Sequence, residues 1–150
     1  MTTTVSLTEL PTLVGTDLGF TEFRAVTQEQ VNTFADATDD HQWIHTDPER
    51  AKDGPFGAPI AHGYLTLALV IPFWGELLDV TGVGTKVNYG LDRVRFPAPV
   101  KVGSRIRMGA TVTDVTEIPG GAQITIDGVI QVEGQDKPAV ALTGLYRFYA

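Results

Sequence analysis

The sequence predicts an α+β fold, one long central helix packed against an antiparallel β-sheet. Three observations predict it. Between residues 62 and 78, apolar side chains such as Leu65, Leu69, Val70, Phe73, Trp74 and Leu77 leave almost no polar face, and a helix apolar nearly all round is normally buried. Beyond Gly82-Val83-Gly84 the chain turns to β-rich runs separated by turn signals. Before residue 62 it reads as loops and short helices. A helix against one face of an antiparallel sheet buries both apolar surfaces at once.

Taken in order, Thr27-Gln28-Glu29-Gln30 is a capping box, with Thr27 as N-cap and Gln30 at N3. It opens a helix in which Val31, Phe34 and Ala35 share a face and which ends before Asp40. Asp47-Pro48-Glu49-Arg50 signals a second, short helix, because Asp47 can cap and Pro48 suits the first helical position. A Gly/Pro-rich loop over 53–59 leads into the central helix, which Pro72 is expected to kink. Strands are expected at about 86–96, 105–115, 123–132 and 138–149. In the third, Ile124, Ile126, Ile130 and Val132 alternate with Thr125, Asp127, Gln131 and Glu133, the mark of a sheet with one solvated face. Pro119-Gly120-Gly121 and Glu133-Gly134-Gln135-Asp136 read as hairpin connections. In the first strand Val87, Tyr89 and Leu91 share a parity that Val94 and Phe96 break, so a bulge is expected near Asp92-Arg93.

Composition bounds the function. The 150 residues, 43% hydrophobic and 19% charged, suit one domain spanning 1–150. A net charge of −7 without a block of Lys or Arg gives no footprint for nucleic acid. There is no cysteine, which rules out disulfides, thiolate metal sites and cysteine nucleophiles. The N-terminus lacks a signal-peptide pattern, and the longest apolar run is far short of the roughly 20 residues that span a bilayer. A cytoplasmic protein without a membrane partner is the expectation.

The candidate chemistry lies in Asp40-His41-Gln42-Trp43-Ile44-His45 and in Ala61-His62-Gly63. A carboxylate and an imidazole can bracket and activate one water. Unpaired N–H groups at a helix start can hold charge developing on a carbonyl oxygen. On a continuous helix Asp40 and His45 would stand about 140° apart, so they meet only if the segment turns; otherwise they are solvated loop residues. Gly63 removes a Cβ that would block a ligand at the helix start, or else permits close packing. His62 reads as a structural, hydrogen-bonded histidine and His41 as an exposed neighbour. Without a helical H-x-x-x-H pair or a thiolate, no metal is expected. No G-x-S-x-G element, P-loop or dinucleotide-binding glycine pattern is present. The Arg93, Arg95, Lys101, Arg105 and Arg107 cluster is either a solvated sheet edge or a contact for the phosphates of an anionic carrier.

These residues resemble the MaoC-like, R-specific enoyl-CoA hydratase family of hot dog folds, which implies a single α+β domain whose antiparallel β-sheet wraps around the long central helix. The family motif reads Asp, any, Asn, Pro, a branched aliphatic, His, five of any kind, then a small residue. Here Asp40, Ile44, His45 and Ala51 match, while Gln42-Trp43 replaces Asn-Pro and so touches the turn between the matched residues. Pro59-Ile60-Ala61-His62-Gly63 looks like the second family signature at the start of the central helix.

The resemblance implies that Asp40, as base, and His45 hold and activate water while the N–H of Gly63 receives the thioester oxygen. The product would be an R-3-hydroxyacyl thioester. It also implies a homodimer, a CoA or acyl-carrier thioester as substrate, and no cofactor beyond CoA carried by that substrate. Phe56, Tyr64 and Trp74 are candidates to line an acyl tunnel. Two rival functions remain at this stage: a hot dog thioesterase, in which the same water attacks the carbonyl carbon, and a non-catalytic acyl-thioester-binding module.

Overall fold

The computed structural model describes residues 1–150. Its centre is a six-stranded antiparallel sheet built from β2 (Asp17–Phe20), β3 (Arg24–Ala25), β5 (Thr85–Arg95), β6 (Arg105–Ile118), β7 (Gly121–Val132) and β8 (Val140–Tyr149). The strands run in the order β2-β6-β7-β8-β5, and β3 also pairs with β6. The four long strands fall where period-2 patterning puts them. In β7 and β8 burial alternates along almost the whole strand, so Ile124, Ile126, Ile130 and Val132 enter the core and their neighbours face outward.

The turns follow from residue chemistry. Pro119 and Gly120 alone separate β6 from β7, and Gly120 has φ +82°, a region that favours glycine. Strand β5 shows the expected register shift between Leu91 and Arg93 and a second one between Asn88 and Gly90. Each shift bends the strand, which suits its place at the sheet edge.

The central helix comes in two pieces, α4 (Gly63–Ala68) and α5 (Val70–Leu77), which meet at Leu69. Pro72 explains the break: it has no N–H to return to Ala68, and its ring crowds that carbonyl. Leu65, Val70, Phe73, Trp74 and Leu77 face the sheet and join the core. The helix is not buried all round, however. Tyr64 is 73% exposed and Ile71 38%, on a stripe with Ala68 and Gly75 that lies beside edge strand β5. There Val87, Tyr89 and Leu91 are exposed as well. The apolar residues at these positions therefore form a surface rather than a core. Strand β8 lies between β7 and β5, so its apolar residues belong to the sheet interior.

The N-terminal quarter contains strands and turns that hydropathy did not announce. Strand β1 (Thr3–Ser6) pairs in parallel with β4 (Leu78–Thr81), and a 3₁₀ turn at Leu7–Leu13 carries Leu10 and Leu13 into the core. Ahead of the central helix come α1 (Gln28–Thr38), α2 (Trp43–Thr46) and α3 (Pro48–Ala51). Thr27 caps α1 by accepting from the N–H of Gln30. The capping box is only half formed, since the Gln30 side chain does not return a bond to the Thr27 N–H; Gln28 turns inward, its Nε2 donating to the carbonyl of His45 at 2.8 Å. Asp47 caps α3 through the N–H of Arg50, with Pro48 at the first position as its chemistry requires. No helix is long and apolar enough to cross a membrane.

Candidate active site

Helix α1 stops at Thr38 because Asp39 adopts the left-handed conformation, φ 59°. The chain then reverses: the N–H of Asp40 still bonds back to the carbonyl of Ala35, and α2 starts afresh at Trp43. This reversal removes the helical phase that would hold Asp40 and His45 apart. Trp43 stands at the first position of α2, the position to which proline is suited, so its presence in place of proline leaves the turn intact. Its ring is covered by the Arg50 guanidinium at 4.3 Å and faces Gly54, where a Cβ would come within 2.9 Å of it.

The result is a cluster of three side chains. A carboxylate oxygen of Asp40 and one ring nitrogen each of His45 and His62 lie within 4.8 Å of one another. Asp40 is exposed, whereas His45 and His62 are buried. Nδ1 of His45 donates to the carbonyl of Ile60 at 2.6 Å, which leaves Nε2 of the neutral ring with its lone pair. Burial, only partly offset by the Ile60 bond, lowers the pKa of His45 below its ordinary value. The imidazole is thereby held as an acceptor at neutral pH.

His62 completes the cluster. Its Nε2 donates to the backbone carbonyl of Asp40 at 3.0 Å, and its ring stacks on that of His45 with centroids 3.9 Å apart. Phe34 of α1 packs on it at 4.8 Å. The hydrogen-bonded role read from the sequence describes Nε2, but Nδ1 is buried without a hydrogen-bond partner in the chain. Such an orphan acceptor costs about 1–3 kcal/mol and is uncommon in interiors. The placement of His62 between the two other residues was not legible from spacing; the only signal was its position directly before Gly63.

The three donor atoms suggest a metal site by count, but their geometry opposes one. Stacked rings only 25° from parallel send their in-plane lone pairs past each other rather than toward a common ion. The group is better arranged to hold a water by hydrogen bonds. His41 lies outside it, exposed, bonded to Asp36 at 2.9 Å and 3.4 Å from Asp39. The Asp36 hydrogen bond raises its pKa above the ordinary value.

Gly63 opens α4, so its N–H has no carbonyl four residues back within the helix. It lines a groove of about 260 Å³ with Phe56, Ile60, Thr66, Phe96 and Val100. The groove is mostly apolar, as an acyl chain requires. The three aromatic residues singled out in the sequence do not share it. Phe56 lies in the groove, Tyr64 is exposed against Phe96 with centroids 6.3 Å apart, and Trp74 stacks on Tyr146 beneath a separate hollow. Phe96, read from the sequence only as a strand residue, joins Phe56 there, 3.5 Å from where a Cβ on Gly63 would stand.

The basic cluster divides. Arg105 pairs with Glu133, and Arg107 stacks on Phe20 and Phe23 while donating to Gln131. Arg93, Arg95 and Lys101 have no carboxylate partner within salt-bridge distance, and all three are exposed. Arg93 and Arg95 line a separate hollow on the outer face of the sheet with Asp17, Asp127 and Thr143, while Lys101 follows Val100 of the groove.

Comparison with known proteins decides the family. The sequence pattern described as the MaoC like domain matches residues 9–133. The chain belongs to the MaoC-like domain family. Among curated relatives of this MaoC-like protein, "3-hydroxyacyl-thioester dehydratase Z" of Mycobacterium tuberculosis (strain ATCC 25618 / H37Rv) is 46% identical over 151 residues, covering 100% of both chains. "Nodulation protein N" of Rhizobium leguminosarum bv. viciae is 41% identical over 140 residues, covering 91% of this chain and 86% of its own. Among solved structures, the (R)-hydratase from A. caviae involved in PHA biosynthesis superposes with a TM-score of 0.73 at 26% identity, over 89% of this chain and 94% of its own. The hot dog fold expected from the resemblance is thereby shown.

Proposed function

We propose that this MaoC-like protein catalyses the reversible hydration of a 2-enoyl thioester to an R-3-hydroxyacyl thioester. The observation that carries the reading is the meeting of the Asp40 carboxylate and the His45 imidazole in one cluster, with the N–H of Gly63 opening the helix next in sequence to His62. Full-length similarity to a named 3-hydroxyacyl-thioester dehydratase supports it. Hydratase and dehydratase are one site run in two directions.

In the hydration direction Asp40 takes a proton from water, and the neutral Nε2 of His45 accepts the other hydrogen bond and orients the oxygen. The water lone pair forms the C3–O bond, the C2=C3 electrons shift toward the carbonyl, and an enolate develops. The N–H of Gly63 donates to that oxygen. A proton from the Asp40 and His45 pair returns to C2. No cofactor enters the scheme; CoA arrives only as part of the substrate. The unpaired cation Lys101, next to Val100 of the groove, suits a thioester carried on a phosphate-bearing group, CoA or a carrier-protein arm. The apolar stripe of α4 and α5 beside β5 suits a second copy of the chain, giving a homodimer. The reading places the enzyme in the cytoplasm, where acyl thioesters are made and consumed.

The test is incubation with crotonyl-CoA and a longer 2-enoyl-CoA, following enoyl absorbance and free thiol together. Loss of absorbance without thiol, with an R-configured product, is expected. Thiol release would identify a thioesterase, and binding without turnover a binding module. Asp40→Asn should remove nearly all turnover while the protein still folds and binds substrate.

A further inference from the structure

We infer that His62 is the positioning residue of this site, the single side chain that sets Asp40, His45 and Gly63 in mutual register. The inference rests on the hydratase reading above and adds to it a residue that the chemistry does not itself use. Asp40 and His45 belong to different pieces of chain, the turn after α1 and the body of α2, and the donor of Gly63 belongs to a third, α4. Three separately mobile groups require something to hold them together, because misplacement by about 1 Å can cost on the order of 100-fold in rate.

His62 touches each piece. Through Nε2 it holds the Asp40 carbonyl at 3.0 Å, which fixes the backbone from which the exposed carboxylate projects. Through its ring face it lies on His45 at 3.9 Å, so the His45 plane is clamped between this stack and the Ile60 bond. Through the chain it is the N-cap residue of α4, and its carbonyl accepts from the N–H of Thr66 in the first turn that Gly63 opens. The residue is 3% exposed, and its ring, packed against Phe34 on another side, has little room to rotate. Holding Nε2 on the Asp40 carbonyl leaves Nδ1 without a partner. A histidine placed only for packing would be expected to satisfy both nitrogens or to give way to an apolar residue.

The hydrogen bond and the ring stack can be tested apart. In H62Q the amide nitrogen stands near the position of Nε2 and can keep the bond to Asp40, while H62F keeps a ring against His45 and loses the bond. Steady-state hydration of crotonyl-CoA should show kcat in H62F reduced about 100-fold with KM changed less than about twofold, and H62Q recovering most of the loss. Near-wild-type kcat in H62F, or H62Q no better than H62F, would overturn the inference. Should H62F fail to fold by circular dichroism, H62N replaces it, since its shorter amide stands near Nδ1 and does not reach the Asp40 carbonyl. D40N, measured alongside, separates the two levels. Turnover retained in D40N sinks the hydratase mechanism, whereas a dead D40N beside active H62F or H62N sinks the positioning role alone.

Discussion

At the scale of the residue, the fold treats two neighbouring histidines in opposite ways. His41 lies in water beside two aspartates, and the hydrogen bond it donates to Asp36 raises its pKa. Four residues on, His45 is buried, and desolvation lowers its pKa. The depressed value makes a prediction with a definite sign. Protonation of His45 removes the acceptor on Nε2, so kcat/KM should stay level as pH falls through the ordinary histidine value of about 6.5 and decline only below it. A pH profile whose acid limb begins above that value would contradict the assignment. Stability should follow the same group. Between the folded value and about 6.5 the unfolded chain binds more protons than the native one, so acidification through that window lowers the melting temperature, with no further loss from this group below it. The first motif was legible because Asp40, Ile44, His45 and Ala51 keep their spacing. The role of His62 was not, because a stack and a backbone bond leave no periodicity behind.

At the scale of the element, the proposed mechanism turns on the start of α4. Gly63 is the first helical residue, and His62 before it has φ −58° and ψ 138°, an extended conformation compatible with a following proline. Gly63→Pro therefore removes one N–H at a position where helices accept proline. If that N–H receives the developing oxyanion, kcat should fall by about 10²–10³ while the far-ultraviolet circular dichroism stays unchanged. Full activity in the proline variant would assign the oxyanion to other donors. Helix boundaries at Asp39, Asp47 and Pro48 and the break near Pro72 were readable because caps and prolines act within one turn. Strands β1, β2 and β3 were not. They have 4, 4 and 2 residues, too few to show an alternating pattern, and exist because β4 and β6 offer them a partner.

At the scale of the whole molecule, apolar residues lie outside as well as inside. Edge strand β5 carries exposed apolar residues on both sides: Leu91 lies against Ile71 of α5, while Val87 and Tyr89, across the register shift, lie on the outer side with Arg147. An edge so composed pairs with another chain unless it is covered, and a second copy would cover it isologously. Leu91 is 43% exposed in the single chain, so Leu91→Asp should leave the fold intact and shift the protein from dimer to monomer in sedimentation velocity. A wild-type protein already monomeric at micromolar concentration would refute the dimer.

The sequence alone determined the fold class, the four long strands, the capped helices and the Asp40 and His45 motif. Each of these rests on local chemistry: side-chain period, a cap, a proline, a fixed spacing. Tertiary structure decided which apolar residues became surface, since the stripe of α4 and α5 is set by what the sheet does and does not cover. It brought His62 between Asp40 and His45, set Phe96 rather than Tyr64 or Trp74 beside Gly63, and left Arg93, Arg95 and Lys101 without acidic partners while neutralising Arg105. Those contacts join residues far apart in the chain. Their geometry depends on how the helix, the loops and the sheet pack, and no spacing along the sequence encodes it.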